Sequence, residues 1–259
     1  MKQRGFYRIK LVVSIIFQEM IRDKVFLALS GASVLLVFAS LILNEMVVGQ
    51  EIKATKDLGL SVLNLFSLFI LVFLGVNILT RNLENKSLYI LFSRPVTRMQ
   101  YVIGSWVSIL ASVLCGILVI SATLFLLSYL QGEVWIQGLL TAAYLTLLEM
   151  MILLAFALLF SFLTSPSLAM FLTLLVYIIG HMLEQAAQVV DNSGNIVLKY
   201  IVIGLHGLLP NFQLLDKKTE IVYGLTLSFS FFRDATIYSI AYTMLVMMLA
   251  IFVFKRKEL

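Results

Sequence analysis

The residues best able to do chemistry in this sequence lie where polar groups are expensive. Glu149 falls inside the long apolar run 136–163. If that run crosses a bilayer, a carboxylate near its centre costs at least ~2.5–3.5 kcal/mol on insertion scales. Such a group must be protonated, paired or hydrated. A second run carries Tyr177, His181, Glu184 and Gln188, spaced so that all four share one helical face. Ionisable groups within a span face protein or water rather than lipid. The stripe can therefore line a pathway, pack at a polar interface or contribute to a metal site, although a lone His-x-x-Glu is too few donors for a metal. Asn64 and Asn77 on a third run are potential partners for Glu149, which is expected to face the interior of a bundle.

Other reactive constellations are missing. The sequence contains no G-x-x-x-x-G-K-[ST], H-E-x-x-H or G-x-S-x-G motif, and no acidic dyad suited to proteolysis inside a membrane. His181 and His206 are its only histidines. The one cysteine, Cys115, excludes a disulfide framework and a cysteine-cluster metal site. No catalytic residue and no cofactor bound by this chain are expected. The methionines, such as Met150, Met151, Met244, Met247 and Met248, read as lipid-facing or core filler.

The elements that must position these groups follow from composition. Hydrophobic residues make up 61% of the 259, and charged residues only 13%. Globular chains carry about 25% charged residues, so lipid is the solvent for much of this molecule. About 20 helical residues cross a hydrocarbon core, and backbone groups in lipid must bond internally. Helical spans are expected at 25–48, 58–80, 101–130, 136–163, 168–190 and 234–254. The fold class is thus all-α integral membrane, a single transmembrane domain of six helices over 1–259. Residues 1–24 read as an amphipathic interfacial helix, with Phe6, Ile9, Val13, Ile16, Phe17 and Met20 on one face and Arg4, Arg8, Gln18 and Arg22 opposite. It is either an anchor for the first span or a lever for a cytoplasmic partner. The stretch 196–209 is too short for a span and suits a re-entrant segment within an outer region 191–233.

Charge sets the orientation. The net charge of +5 is scattered at the ends of apolar runs, which argues for membrane topology rather than nucleic-acid binding. With six spans and an inside N-terminus, 13 Lys and Arg lie on the inner side and 6 on the outer. A multi-pass protein of the cytoplasmic (inner) membrane with both termini cytoplasmic is expected, and no cleavable signal peptide is evident.

Small polar residues mark packing faces. Gly104, Ser108, Ser112 and Gly116 recur every fourth residue on the third span, and Ser30, Ser33, Ser40 and Asn44 stripe the first. Small residues at such spacing let helix backbones approach closely in lipid. Either stripe can serve packing within the chain or an interface with a second subunit.

The inner loop 81–98 is the most informative segment. Across 80–100 the chain reads TRNLENKSLYILFSRPVTRMQ, in which Glu84 and Ser87 suit the start of a short helix and Pro95 its end. An acidic residue, Ser-Leu, an apolar stretch, Ser93-x-Pro95-Val96-Thr97-Arg98 and a span opening near Gly104 resemble the type-2 exporter permeases, the transmembrane subunits of ATP-binding-cassette (ABC) transporters. The resemblance covers the whole chain. It implies that Arg81, Glu84, Asn85, Lys86 and Ser87 face a separate ATPase as a coupling helix, with Pro95 and Arg98 setting the turn into span three. It also implies two ATPase copies holding ATP and Mg, a second copy of this chain, and a dimer contact through spans one and five. A second acid and a Gly-Thr that the family often carries in this loop are replaced here by Asn82 and Lys86-Ser87. The segment Leu208-Leu209-Pro210-Asn211-Phe212 resembles that of a subgroup associated with maturation of copper enzymes.

On this reading the chain is a permease subunit that couples ATP hydrolysis elsewhere to substrate movement. One alternative is a mechanical scaffold acting on an extracytoplasmic accessory protein, docked through Asp216, Lys217, Lys218 and Glu220. A secondary transporter requires inverted repeats, and no convincing internal repeat is found.

Overall fold

The computed structural model describes residues 2–44, 51–84, 97–132, 135–193 and 196–256. All of their regular structure is helical. The helices are α1 (Lys2–Arg22), α2 (Lys24–Asn44), α3 (Glu51–Phe69), α4 (Val76–Glu84), α5 (Arg98–Leu130), α6 (Ile136–Leu163), α7 (Pro166–Ser193), α8 (Ile196–Leu208), α9 (Lys218–Val222) and α10 (Phe229–Arg256). A π-helical segment, Ile70–Gly75, joins α3 to α4 without breaking the rod. Five stretches are long and apolar enough to cross a membrane: Lys53–Arg81, Arg98–Leu130, Ile136–Leu163, Pro166–Val190 and Phe229–Arg256. The pair Ile9–Arg22 and Lys24–Ser40, bent by 58°, brings the total to as many as six.

Local chemistry explains the ends of these helices. Thr97 caps α5 in a reciprocal box: Gln100 N donates to Thr97 Oγ1, and Thr97 N donates to Gln100 Oε1. Pro166 occupies the first position of α7, where a missing N–H costs nothing. The expected sixth span at 234 begins earlier, because Phe229 already belongs to α10.

α6 is the central rod. In its most apolar window 78% of residues are buried within the chain, against 28% for α7 and α10. The difference leaves α7 and α10 to present side chains such as Phe171, Ile178 and Met248 outward, as a helix facing hydrocarbon does. α5 packs beside α6, and its small-residue stripe is used within the chain. A Cβ at Gly104 would lie 2.8 Å from Val12 Cγ1, and one at Gly116 would lie 2.7 Å from Ile70 Cδ1. Ser108 donates from Oγ to the Val13 carbonyl, while Ser112 bonds back to Ser108 O on its own helix. Thus α1 lies across the first turns of α5, and the π segment lies against its middle.

The α1 face differs from the sequence expectation. The fully buried line is Val12, Ile16 and Met20, with Ile9, Val13 and Phe17 only partly covered. The close approach at Gly104 rotates the helix so that Val12 fills the missing side chain. Phe6 lies outside the residues whose side chains are described.

Candidate functional site

Three spans meet at Glu149. Its side chain comes from the middle of α6, where the residue is 2% exposed. Asn64 of α3 donates from Nδ2 to Glu149 Oε2 at 3.2 Å. His181 of α7 places Nε2 3.2 Å from Glu149 Oε1. Tyr177, one turn before His181, donates from Oη to Asn64 Oδ1 at 3.5 Å. The four groups close a ring of polar contacts inside an apolar bundle.

Proton bookkeeping follows from the geometry. His181 Nδ1 lies 3.1 Å from the Tyr177 carbonyl oxygen, which can only accept. Nδ1 therefore carries a hydrogen. In a neutral imidazole Nε2 is then the acceptor, and Glu149 must supply the proton between them. In an imidazolium Nε2 carries it and Glu149 is ionised. Either arrangement places one proton between Oε1 and Nε2 and keeps the pair neutral. Neither atom has another hydrogen-bond partner among the described residues. A buried pair of this kind is costly to break, because the survivor stays desolvated.

A short plug covers the ring. Residues 209–217 drop between the spans, and Phe212 is completely buried against Tyr177 and His181, with ring centroids 6.2 Å and 5.5 Å apart. Gly180 makes room for it, since a Cβ there would sit 2.5 Å from Phe212 Cδ2 and 2.7 Å from the Pro210 carbonyl oxygen. Two tyrosines of α10 fasten the segment. Asn211 N donates to Tyr238 Oη at 2.9 Å, and Tyr242 Oη donates to the Leu208 carbonyl at 2.8 Å. Asn211 Oδ1 accepts from Gln213 N and starts the turn that follows Pro210.

Beside the plug a narrow cavity of about 10 Å³ descends to Glu149. Asn64, Thr146, Asp216, Lys217 and Lys218 are among its lining residues. Lys218 Nζ lies 3.8 Å from Asp216 Oδ1, and Lys217 Nζ lies 3.1 Å from Glu220 Oε1. The volume is near the minimum that holds one water.

At the opposite end of the bundle the polar contacts are of another kind. Arg81, close to the end of α4, pairs with Glu19 of α1. Arg98, in the first turn of α5, donates from Nη1 to the carbonyl oxygens of Phe254 (3.0 Å) and Lys255 (2.9 Å). These are last-turn carbonyls of α10, which lack helical partners of their own. The two described ends of segment 81–98 thus carry residues that hold α1 and α10.

The other candidate residues are placed as follows. Glu184 is half-buried and Gln188 exposed, one and two turns beyond His181. Asn77 is exposed, beyond the π segment. Thirteen helical residues separate it from Asn64, roughly 20 Å of rise, so it cannot reach the same carboxylate. Ser33 and Ser40 are buried and bond to carbonyls of their own helix, and Ser30 is half-buried. Glu84 ends α4, and its side chain, like Asn85, Lys86, Ser87 and Pro95, lies outside the described residues. Sequence reasoning missed Gly180 and Phe212 as parts of the site. The available signals were Pro210-Asn211, a turn sequence set in an apolar stretch, and a glycine beside a histidine within a span.

The fold defines a multi-pass α-helical membrane protein, with buried polar groups at its centre and charged clamps at one end. Residues 12–259 match the family model described as ABC-2 family transporter protein, and the chain belongs to that family. Among curated proteins none matches it. The chain is accordingly a membrane permease subunit of an ABC transporter, a subunit type that works with an ABC ATPase and is not itself the catalytic one.

Proposed function

We propose that the chain works as one of two permease copies in a complex with two copies of a separate ATPase, which hold ATP and Mg. Closure of the ATPase pair pushes segment 81–98, and the bundle passes that push to the plug end to move a substrate across or out of the membrane. The observation that carries this reading is the double clamp at the ends of that segment. Arg81 ties it to α1, and Arg98 ties it to the last turn of α10. A displacement of the segment is therefore delivered to four helices together, α4 and α5 directly and α1 and α10 through the clamps. The 13 Lys and Arg that the sequence assigns to this side, against 6 on the other, support a cytoplasmic placement in the inner membrane. α1 then lies at the headgroup level as a lever, with its buried line on α5.

Copurification tests the assembly, and nucleotide turnover tests the coupling. A stoichiometric nucleotide-binding protein is expected to accompany the chain, with ATP hydrolysis coupled to its presence. Replacing residues 85–87 with glycines is expected to abolish the coupling while leaving the permease folded. Full coupling in that variant, or accessibility of the segment from outside the cell, refutes the reading.

A further inference from the structure

The cavity beside the plug limits what the polar ring can bind. About 10 Å³ admits one water and no organic cargo. Lys217 and Lys218 in the cavity lining oppose a metal cation, and no group of three His, Cys, Asp or Glu that could hold one occurs among the described residues. The ligand that fits a water-sized passage ending on a carboxylate, itself 3.2 Å from an imidazole nitrogen, is a proton.

We propose that Glu149 and His181 form a proton-binding site, reached from the plug end through the cavity bounded by Asp216, Lys217 and Lys218. A hydronium ion in the cavity gives its proton to the carboxylate–imidazole pair and leaves as water, and release runs the same path backwards. The one-proton pair is neutral. A second proton leaves it positive, and loss of the proton leaves it negative. Either charge in a bundle with room for a single water is strongly disfavoured, so the plug closes only on the one-proton state, while a raised plug admits further water and lets the count change. Opening of the plug end is thereby linked to exchange of one proton.

The groups that face the pair come from three spans and the plug. α3 supplies Asn64, α6 supplies Thr146, α7 supplies Tyr177, and the plug supplies Phe212 and Asp216, with Lys217 and Lys218 leading into α9. Only Asp216, Lys217 and Lys218 among them are charged in neutral solution, and all three stand at the mouth. Among the described residues none between mouth and base supplies a fixed counter-ion, so the proton itself is the balancing charge.

The proposal uses the permease reading only to say which side of the membrane the proton comes from. The test therefore uses the full chain in lipid nanodiscs without the ATPase. Infrared difference spectra taken between about pH 5 and 9, the range in which a histidine partner changes charge, read the carbonyl stretch of a protonated carboxyl. A titrating band is expected in the wild type and is absent in Glu149→Gln. His181→Gln keeps a polar side chain and is expected to shift the midpoint by about ten-fold or more in proton concentration. That second variant keeps the test standing if the first fails to fold. A wild-type spectrum with no titrating carboxyl, or a midpoint that His181→Gln leaves in place, overturns the site. For the route, Lys218→Cys in a Cys115→Ser background is labelled with a bulky charged thiol reagent and subjected to a pH jump. Slower rise of the band supports the cavity as the path, and an unchanged rate overturns it. Failure of ATPase coupling in the previous experiment leaves all these readouts intact, so the two ideas fail separately.

Discussion

The two ends of the bundle solve the same problem, joining helices through polar groups, in opposite ways. At the clamp end Arg81 and Glu19 meet with side chains 47% and 28% exposed, and Arg98 reaches main-chain carbonyls at the surface. At the plug end Glu149 and His181 meet with side chains 3% and 20% exposed, under a buried phenylalanine. Exposed ion pairs contribute about 0–1 kcal/mol and rearrange at little cost. Buried pairs are costly to break and hold one geometry. The clamp end can therefore rearrange at little cost, whereas the plug end is held in one geometry.

The comparison breaks first at Glu149. Glu149→Leu strands Asn64 Nδ2 and His181 Nε2 in an apolar interior, and a loss of about 2–5 kcal/mol is expected. Thermal unfolding in detergent measures it, and a variant as stable as wild type would show that the ring does not hold the spans together. Double-mutant cycles sharpen the contrast. Coupling across Glu149–His181 is expected to exceed coupling across Glu19–Arg81, which should stay below about 1 kcal/mol. Equal values would remove the distinction between the ends.

Smaller effects test the packing between the ends. Gly104→Val drives a side chain into Val12, and overpacking of this kind costs about 1–3 kcal/mol. Trypsin sensitivity of the Arg22–Lys24 junction should rise as α1 lifts from α5; unaltered cleavage would mean that α1 is not held there. Arg98→Ala removes two capping donors from α10 and is expected to cost about 1 kcal/mol, because the site is partly exposed. Hydrogen exchange over 250–256 should quicken locally with little change at Phe212. Ser112→Ala is the mildest, within about 0.5 kcal/mol, since its hydroxyl bonds only to its own helix. A larger loss would reveal a contact beyond those of the single chain.

Much of this arrangement was legible beforehand, for identifiable reasons. Glu149 read as an interior group because a carboxylate inside a span has no cheap alternative, and Asn64 was named among its potential partners. Asn77 shares the span of Asn64, but roughly 20 Å of helical rise from Asn64 removes it. His181 stood in a stripe with Glu184 and Gln188, yet only His181 and Tyr177 reach the ring. A shared helical face says nothing about depth, and the neighbouring helices are set at one depth only. The plug was harder to foresee. Leu208 to Phe212 resembles a subgroup's segment, whereas its physical role depends on Gly180 and Tyr238, which are distant in sequence.

Hydropathy, helix length and cation placement are additive along a chain, so sequence alone determined that this is a polytopic helical membrane protein and pointed to its loop 81–98. Which polar groups share a proton, and what seals them, are properties of pairs far apart in sequence: Asn64 with Glu149, Glu149 with His181, Gly180 with Phe212. Their meeting depends on helix rotation and depth to within a few ångströms. Small residues and close packing set those quantities, and they exist only once the helices have come together.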